Sequence, residues 1–330
     1  MAVPGRRRSR SLELFYYRLV TPLIRAFWAF LQVIPERSVG GAGWLIGRII
    51  LFGRKGRVIR NMRVVLHGPG CRVCDWGSLW RRHANHLGGA IAEILHYSNA
   101  SACEVRGRAA IAGGSDGMLR EALAGGRGAV VFMNHFSNPA VVPVAIALSG
   151  HGVSVATNVI PVPFLETALD QVLAQYGAAR VAVGGAIVSA AKKTLRANGV
   201  FIAAIDYSST RSHTGWAPFG NAELEVSLVP AMIALRAGSA MFSAIVTRIG
   251  ECRYTVALQP IAAPEMGPMR DRALAATKAA MRGVSDAVAD RPEQWWRWDF
   301  PRLRTMPRES RMPTGDEAAA EPSRATVKRL

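Results

Sequence analysis

The sequence predicts an α/β fold in which a largely parallel central sheet is covered by helices on both faces. Apolar runs of strand length alternate with helix-length segments from residue 129 onward, and the connections between them are short. Hydrophobic residues make up 50% of the 330 residues. Such alternation is typical of a parallel sheet covered on both sides, and a chain of this length can bury a large core.

Each element is predicted from its apolar periodicity and from the turn residues that flank it. The predicted strands are Val130–Met133, Val153–Asn158, Arg180–Val183, Val200–Ile205, Ala240–Thr247 and Arg253–Leu258. The predicted helices are Trp44–Phe52, a polar-faced helical stretch between Val58 and Asn99, Pro139–Leu148, Pro163–Tyr176, Ile187–Ala197, Val226–Ala237 and Met269–Ala289. Asn138 is expected to cap the helix at Pro139–Leu148.

The N-terminal region is apolar and basic. The stretch Leu12–Ile34 is interrupted by Arg18 and Arg25, and its uncharged part, Ala26–Pro35, is too short to cross about 30 Å of hydrocarbon. We expect residues 1–53 to form membrane-associated helices that lie in the interface. A true span and a helix packed on the protein's own domain are the alternatives.

The remaining chain is predicted to form one α/β domain over residues 54–305. Residues 306–330 are rich in Pro, Ala, Glu and Arg, and they are predicted to be a disordered tail.

The formal net charge of +18 favours anionic partners. The basic residues are spread along the chain, and the aromatic residues cluster in apolar segments instead of alternating with arginines, so no nucleic-acid partner is expected. Cys71 and Cys74, followed by His83 and His86, leave a zinc site as a minor alternative. The sequence predicts no cofactor and no metal.

Two polar residues directly follow apolar strands. His135 comes after Val130–Met133, and Asp206 comes after Val200–Ile205. Parallel strands would bring both side chains to the sheet edge at which open α/β folds bind ligands. There a histidine can remove a proton from a hydroxyl, while a carboxylate on its other nitrogen fixes the tautomer. The alternatives are a histidine bonded to the backbone and an aspartate that caps a loop.

A second candidate nucleophile lies in Gly113–Gly117, which matches the G-x-S-x-G pattern. A nucleophile elbow needs a firm strand before it, and only the weak run Ala109–Ala112 is available. Ser115 or Asp116 is expected instead to cap a helix that starts at Met118.

Five groups of segments, taken in order, resemble the lipid A biosynthesis acyltransferases, the late lauroyl and myristoyl transferases. They are Arg60–Asn61, Gly128–Asn138, Leu195–Asp206 with Pro218–Gly220, Thr247–Arg248 with Tyr254, and Pro292–Trp298. Together they cover roughly Arg57 to Arg304. Each is weak alone, and their combination in one order is fairly specific.

The resemblance implies transfer of an acyl chain from an acyl carrier protein or acyl-CoA to a hydroxyl of a membrane glycolipid. The site would lie on the cytoplasmic face of the bacterial inner membrane. His135 would be the general base, with Asp206 as its partner. Asn134, Asn138, Arg211 and Arg248 are the predicted substrate contacts. The positive charge would steer both an acidic carrier protein and an anionic membrane surface towards the site.

The family pattern is a histidine, four further residues and then Asp or Glu. This sequence departs from it, because Ala140 occupies the position of the acid. Loss of an orienting acid costs about 10⁴-fold in serine proteases. Asp206 could replace it, Asn138 could orient the imidazole, or the chain is a degenerate homologue that binds lipid or a partner without turnover. Glu166 is expected to lie within a helix, away from His135. If the missing carboxylate limits the rate, Ala140→Glu should raise turnover.

Overall fold

A computed structural model of the chain describes residues 26–68, 71, 73, 75–98, 100–158, 163–207 and 212–305, together with Pro22. The predictions for residues 1–21 and 23–25, Cys74, Arg211 and the tail at 306–330 lie outside this range.

The described residues form helices and strands whose order follows the predicted alternation. The helices are α1 (Glu36–Ile50), α2 (Lys55–Leu66), α3 (Trp76–Tyr97), α4 (Ala102–Arg106), α5 (Ser115–Ala124), α6 (Val141–Leu148), α7 (Pro163–Gln175), α8 (Ile187–Arg196), α9 (Val229–Ala237) and α10 (Met269–Asp290). The strands are β1 (Ala109–Ile111), β2 (Ala129–Met133), β3 (Val153–Thr157), β4 (Ala178–Ala182), β5 (Val200–Ala204), β6 (Thr214–Phe219), β7 (Ala222–Ser227), β8 (Ala240–Gly250), β9 (Arg253–Pro260) and β10 (Leu303–Thr305). Residues 26–33 are also helical, and short 3-10 helices occupy Pro292–Gln294 and Trp296–Asp299.

The central sheet has seven strands in the order β1-β9-β8-β2-β5-β3-β4. The pairing between β8 and β9 is antiparallel, and the other pairings in this sheet are parallel. The predicted α/β class with a largely parallel sheet is therefore confirmed. β2 lies near the centre, between β8 and β5, so the residues that follow it are flanked by the end of β5 on one side and by β8, which continues to Gly250, on the other.

The buried strands divide their side chains between two cores. Val130 and Phe132 of β2 belong to a core shared with α9 and α10, whereas Val131 and Met133 belong to one shared with α6 and α7. Since successive residues of a strand point to opposite faces, the two cores lie on opposite sides of the sheet. Helices therefore cover both faces, as predicted.

A second, three-stranded antiparallel sheet, in the order β10-β7-β6, was not predicted. β6 and β7 form a hairpin closed at Gly220 and Asn221, and Gly220 has a φ of +56°. The predicted helix Val226–Ala237 was wrong at its start, because Val226 and Ser227 end β7. The Gly-Asn pair is a hairpin signal, but the polar residues before it favoured a loop.

Two predicted helix caps were also wrong. α6 begins at Val141 without a side-chain cap, because the buried Asn138 side chain turns towards α3 and donates to Ala90 O at 3.4 Å. α5 begins at Ser115 itself, after Gly114. Ser115 Oγ accepts from Leu258 N at 3.0 Å and is buried. It is therefore a structural residue, and the nucleophile-elbow alternative has no support from its geometry.

Residues 26–34 and α1 pack on the protein's own helices, which was one of the alternatives for this region. The apolar cluster that joins them to α3 and α7 contains Leu31, Ile34, Val39, Ile46, Ala92, Leu95 and Ala168. None of the helices within the described ranges combines the length and the apolar character needed to traverse a bilayer.

Glycines set the close approach of α1 and α3. A Cβ on Gly47 would lie 1.8 Å from Ala84 O, and one on Gly88 would lie 1.9 Å from Gly43 O. Side chains at these positions would push the two helices apart. This packing leaves Trp44 of α1 exposed to solvent.

Candidate active site

His135 and Asp206 lie just beyond the ends of two neighbouring parallel strands. β2 and β5 pair with Met133 opposite Ala204, and Ile205 N donates to Met133 O at 2.9 Å. Because parallel strands advance in the same direction, the residues that follow stay side by side. The distance between His135 Nδ1 and Asp206 Oδ1 is 2.8 Å.

Asp206 is enclosed by hydrogen-bond donors. Its Oδ2 accepts from His135 N at 2.8 Å and from Trp295 Nε1 at 2.9 Å, and its side chain is fully buried. Burial alone would raise the pKa of this carboxyl, but the charge of His135 and these hydrogen bonds outweigh it and hold the pKa of Asp206 below its ordinary value. A carboxylate only accepts hydrogen bonds, so it holds the proton of a neutral His135 on Nδ1. The other ring nitrogen, Nε2, is then free to accept a proton.

The loop after His135 has an unusual backbone. Ser137 has a φ of +59°, in the left-handed region that a residue with a side chain rarely adopts. Three contacts hold it there: Ser137 N donates to Gln294 O at 3.0 Å, while Ser137 O accepts from Trp296 Nε1 at 2.5 Å and pairs with His86 Nε2 at 3.0 Å. The surrounding structure therefore fixes the turn that presents the imidazole.

The segment Pro292–Trp298 wraps around this loop. Trp296 N donates to His135 O at 2.8 Å, and Trp295 packs against Trp298 with their ring centroids 4.8 Å apart. Asn61 of α2 anchors the far end by donating from Nδ2 to Trp298 O at 2.8 Å. The tryptophans thus hold both members of the His135–Asp206 pair.

The amide groups of the two predicted asparagine contacts face the protein instead of open space. Asn134 Nδ2 donates to Ala244 O at 2.8 Å, and Asn134 Oδ1 accepts from Phe136 N at 3.1 Å. Asn138 is fully buried, and its Oδ1 has no hydrogen-bond partner among the described residues. Neither amide contacts the His135 imidazole.

Arg248 belongs to a polar cluster under the loop. Its Nη2 lies 2.6 Å from Glu93 Oε1 and 2.5 Å from the Tyr254 hydroxyl, and the Tyr254 hydroxyl also donates to Glu93 Oε2. Burial, followed by the charge of Glu93, raises the pKa of Tyr254. Most of the charge of Arg248 is therefore balanced inside the protein. Arg211, the fourth predicted contact, lies outside the described residues.

Of the two histidines of the zinc alternative, His83 is buried and His86 is half-buried. Burial lowers the pKa of His83 and of His86 to about 4. His83 Nδ1 pairs with Glu293 O at 3.0 Å. Within the described ranges, no group of three or more His, Cys, Asp or Glu side chains is arranged to hold a metal ion.

A largely apolar cavity of about 490 Å³ opens beside His135. Its walls come from α3, α7 and the ends of β2, β3 and β5 and include Ile94, Met133, Ala140, Val155, Leu169 and Leu173. Tyr207, Trp296 and Arg297 line it together with His135. A volume of this size is typical of ligand sites.

Ala140 lines this cavity and also the small apolar pocket next to it, which contains Val144 and Val172. Glu166 is held in α7, where its Oε1 forms a 2.7 Å ion pair with Arg180 Nη2, as the sequence indicated. Of the three interpretations of the missing acid, the geometry matches the one in which Asp206 reaches the histidine.

Several residues of the site were not assigned a role from the sequence. Tyr207 packs edge-on against His135 with ring centroids 6.3 Å apart, while Trp295 and His86 hold Asp206 and the loop. The Pro-Glu-Gln-Trp segment was a signal for the tryptophans. Nothing in the sequence around His86 distinguishes it from an ordinary core histidine.

The sequence model of the family described as bacterial lipid A biosynthesis acyltransferase matches residues 7–305. No curated protein matches the chain.

Proposed function

The chain belongs to the bacterial lipid A biosynthesis acyltransferase family, and we propose that it transfers a fatty acyl chain from an acyl thioester to a hydroxyl of a membrane glycolipid such as a lipid A precursor. The donor is an acyl carrier protein or acyl-CoA. The observation that carries the proposal is the 2.8 Å contact between His135 Nδ1 and the buried Asp206 carboxylate, with the apolar cavity beside it.

The proposed chemistry uses the other ring nitrogen. His135 Nε2 removes the proton of the acceptor hydroxyl while its oxygen attacks the thioester carbonyl carbon. The carbon–sulfur bond then breaks, and the imidazolium returns the proton to the leaving thiolate, which yields an ester and a free thiol. Asp206 keeps the imidazole in the required tautomer and stabilises the imidazolium. Asn134 is proposed as a positioning residue, because its amide bonds to the backbone groups Ala244 O and Phe136 N.

The acyl chain is proposed to lie in the cavity between α3 and α7. Its walls are mainly aliphatic, so a hydrocarbon chain would bury apolar surface there at about 25 cal/mol per Å². Ala140 keeps this wall apolar, and Asp206 takes over the role of the family's acid. The alternative, a degenerate homologue that only binds lipid or a partner, uses the same cavity but does not need the His135–Asp206 contact.

The test of the proposal is an assay of the purified full-length chain. Saturated acyl thioesters on coenzyme A and on an acyl carrier protein are offered with a hydroxyl-bearing lipid A precursor, and ester product is measured by mass spectrometry. New ester with at least one donor supports the proposal. Normal binding of the lipids without ester formation for any donor favours the degenerate homologue.

Ala140→Glu tests the proposed replacement of the acid. We expect no gain in kcat, because Asp206 already occupies His135 Nδ1, and a rise in KM for the acyl donor of at least about tenfold, because a carboxylate would be buried in an apolar wall. Ala140→Gln has similar size without charge and should show a smaller rise in KM. A severalfold increase in kcat for the Glu variant alone would mean that the missing acid limits the rate.

We further propose that α1 and the turn after it dock on the cytoplasmic face of the inner membrane. Phe52 is 87% exposed, Ile49 66% and Trp44 50%, and large apolar side chains on one surface are typical of an interaction site. Arg48 lies over Trp44 and Trp80, at 5.4 and 5.1 Å from their ring centroids. Apolar and aromatic side chains beside cations suit an interface with anionic lipid.

Replacing Ile49 and Phe52 together with Glu should lower binding to vesicles that contain anionic phospholipid by tenfold or more. Each side chain would lose about 1.5–3 kcal/mol of burial in the bilayer, and the added charges repel the surface. Cosedimentation of the full chain measures the bound fraction. Val188→Glu, a matched change on the exposed face of α8, should bind normally. Equal binding by all variants would rule out this surface as the anchor.

A further inference from the structure

Arg297 carries a positive charge at the cavity that no carboxylate among the described residues balances. Its guanidinium lies 4.3 Å above the ring centroid of Tyr207, and both side chains line the cavity together with His135. Its Nε is buried and has no hydrogen-bond partner within the described ranges. Buried donors are nearly always paired in folded proteins, so the described residues satisfy this guanidinium only in part.

Four other arginines near the functional site or the sheets are neutralised. Arg248 pairs with Glu93, and Arg180 pairs with Glu166. Arg302 and Arg304 likewise pair with carboxylates of β7. Arg297 differs from these because its observed partner is an aromatic face. Stacking on a ring holds a guanidinium in place without satisfying its N–H groups.

The position of Arg297 is fixed relative to the reacting nitrogen. The preceding residue, Trp296, is bound through its backbone N to His135 O at 2.8 Å. Tyr207 contacts both Arg297 and His135. Its ring centroid is 6.3 Å from that of His135, and the two rings are nearly perpendicular, at 85°. The cation is therefore presented at a defined place beside the imidazole, which is what a substrate-orienting group requires.

We propose that Arg297, backed by Tyr207, binds a phosphate group carried by one of the two substrates. A guanidinium presents parallel N–H donors that match phosphate oxygens, and Arg297 lines the cavity in which the substrate would lie. The inference rests on the proposed function in one respect: the molecule that carries the phosphate is taken to be a substrate that binds at this site. The phosphate belongs either to the acceptor headgroup or to the coenzyme A or carrier arm of the donor.

Kinetic measurements with and without a phosphate on each substrate distinguish a phosphate of the donor from a phosphate of the acceptor. The variant Arg297→Met removes the charge at similar length, and Arg297→Lys retains it without the planar fork. Donor is offered as dodecanoyl-CoA and as the phosphate-free thioester S-dodecanoyl-N-acetylcysteamine. Acceptor is offered as a phosphorylated lipid A precursor and after phosphatase treatment. Arg236→Met, an exposed arginine at the end of α9, is the control.

We expect Arg297→Met to raise KM about tenfold to a hundredfold for the substrate whose phosphate is bound, since a hydrogen bond to a charged group has this effect. KM for the phosphate-free form of that substrate should match wild type measured with the same form. Arg297→Lys should recover part of the loss, and Arg236→Met should change neither KM. An equal rise in KM with and without phosphate would overturn the proposal and leave Arg297 as a packing residue.

A competition binding assay tests the phosphate site without requiring catalysis. Dodecyl phosphate and dodecyl glucoside compete with a fluorescent fatty acid on the full-length chain, and the melting temperature of each variant is recorded. Wild type should prefer the phosphate, and Arg297→Met should lose that preference while still binding the glucoside. If wild type forms no ester but shows this preference, only the proposed function fails. If wild type binds both headgroups equally, the phosphate site is wrong even if ester is formed.

Discussion

Replacing His135 with alanine is expected to lower kcat for acyl transfer by about 10²–10⁴-fold, the usual contribution of a positioned general base. The imidazole is the group at the cavity whose Nε2 can take the proton of the attacking hydroxyl, because its Nδ1 is held by Asp206 at 2.8 Å. The fold should persist, because Asp206 keeps its hydrogen bonds from His135 N and Trp295 Nε1.

The matched control for this variant is a second histidine–aspartate pair in the same protein. His151 Nε2 and Asp116 Oδ1 are 3.4 Å apart. His151 lies before the start of β3, whereas His135 lies after the end of β2, so the two histidines are at opposite ends of the parallel strands. His151→Ala should therefore leave kcat and KM unchanged. Initial rates with a saturating donor and thermal unfolding of both variants are the measurements. Wild-type kcat in a correctly folded His135→Ala variant would remove His135 from the mechanism.

Asp206→Asn should have an effect of similar size, about 10⁴-fold on kcat, because an amide neither fixes the histidine tautomer nor stabilises the imidazolium. It should also lower the free energy of unfolding by about 1–3 kcal/mol. The carboxylate accepts three hydrogen bonds, and an amide NH₂ would face donors in at least one of those positions.

The pH dependence of this stability loss has a definite sign. The folded pKa of Asp206 is held below its ordinary value, so the folded state binds fewer protons than the unfolded chain in the window between the two pKa values. The stabilisation is complete above the unfolded value of about 3.9 and is lost as pH falls through the lower folded value. The difference in unfolding free energy between wild type and Asp206→Asn should therefore be constant at neutral pH and shrink below about pH 3.9.

Urea unfolding of both proteins across this range measures the difference, with Asp116→Asn as the control on a half-buried pair away from the cavity. A difference that grows as pH falls would contradict the depressed pKa. Activity of Asp206→Asn close to that of wild type would show that another group orients His135. Such a result would not support the degenerate-homologue alternative, because the protein would still be catalytically active.

The strands and their contacts differ in how far the sequence could predict them. Val130–Met133 and Val200–Ile205 were recognisable because a buried strand is a continuous apolar run bounded by turn residues. That both runs lie side by side, with Met133 opposite Ala204, follows from packing of the whole sheet. The sequence therefore predicted a shared edge for His135 and Asp206, and the register determined that they touch.

The segments that hold the site were harder to interpret. Pro292–Trp298 was recognisable as a motif, but its role depends on Trp295 reaching Asp206 across 89 positions of the chain. The hairpin of β6 and β7 was missed because its strands are stabilised by each other and by β10. The sequence identifies Arg297 only as an arginine, and the fold shows that it stacks on Tyr207 and has no carboxylate partner within the described ranges.

By itself the sequence determined the α/β class, the order of strands and helices, and the imidazole at a strand end, because these depend on local periodicity and residue chemistry. Only the tertiary structure decided that a distant aspartate, Asp206, reaches the imidazole of His135, and that an arginine without a carboxylate partner among the described residues lies at the same cavity. Hydrogen bonds between residues far apart in the chain are set by sheet register and by burial, which no local pattern specifies.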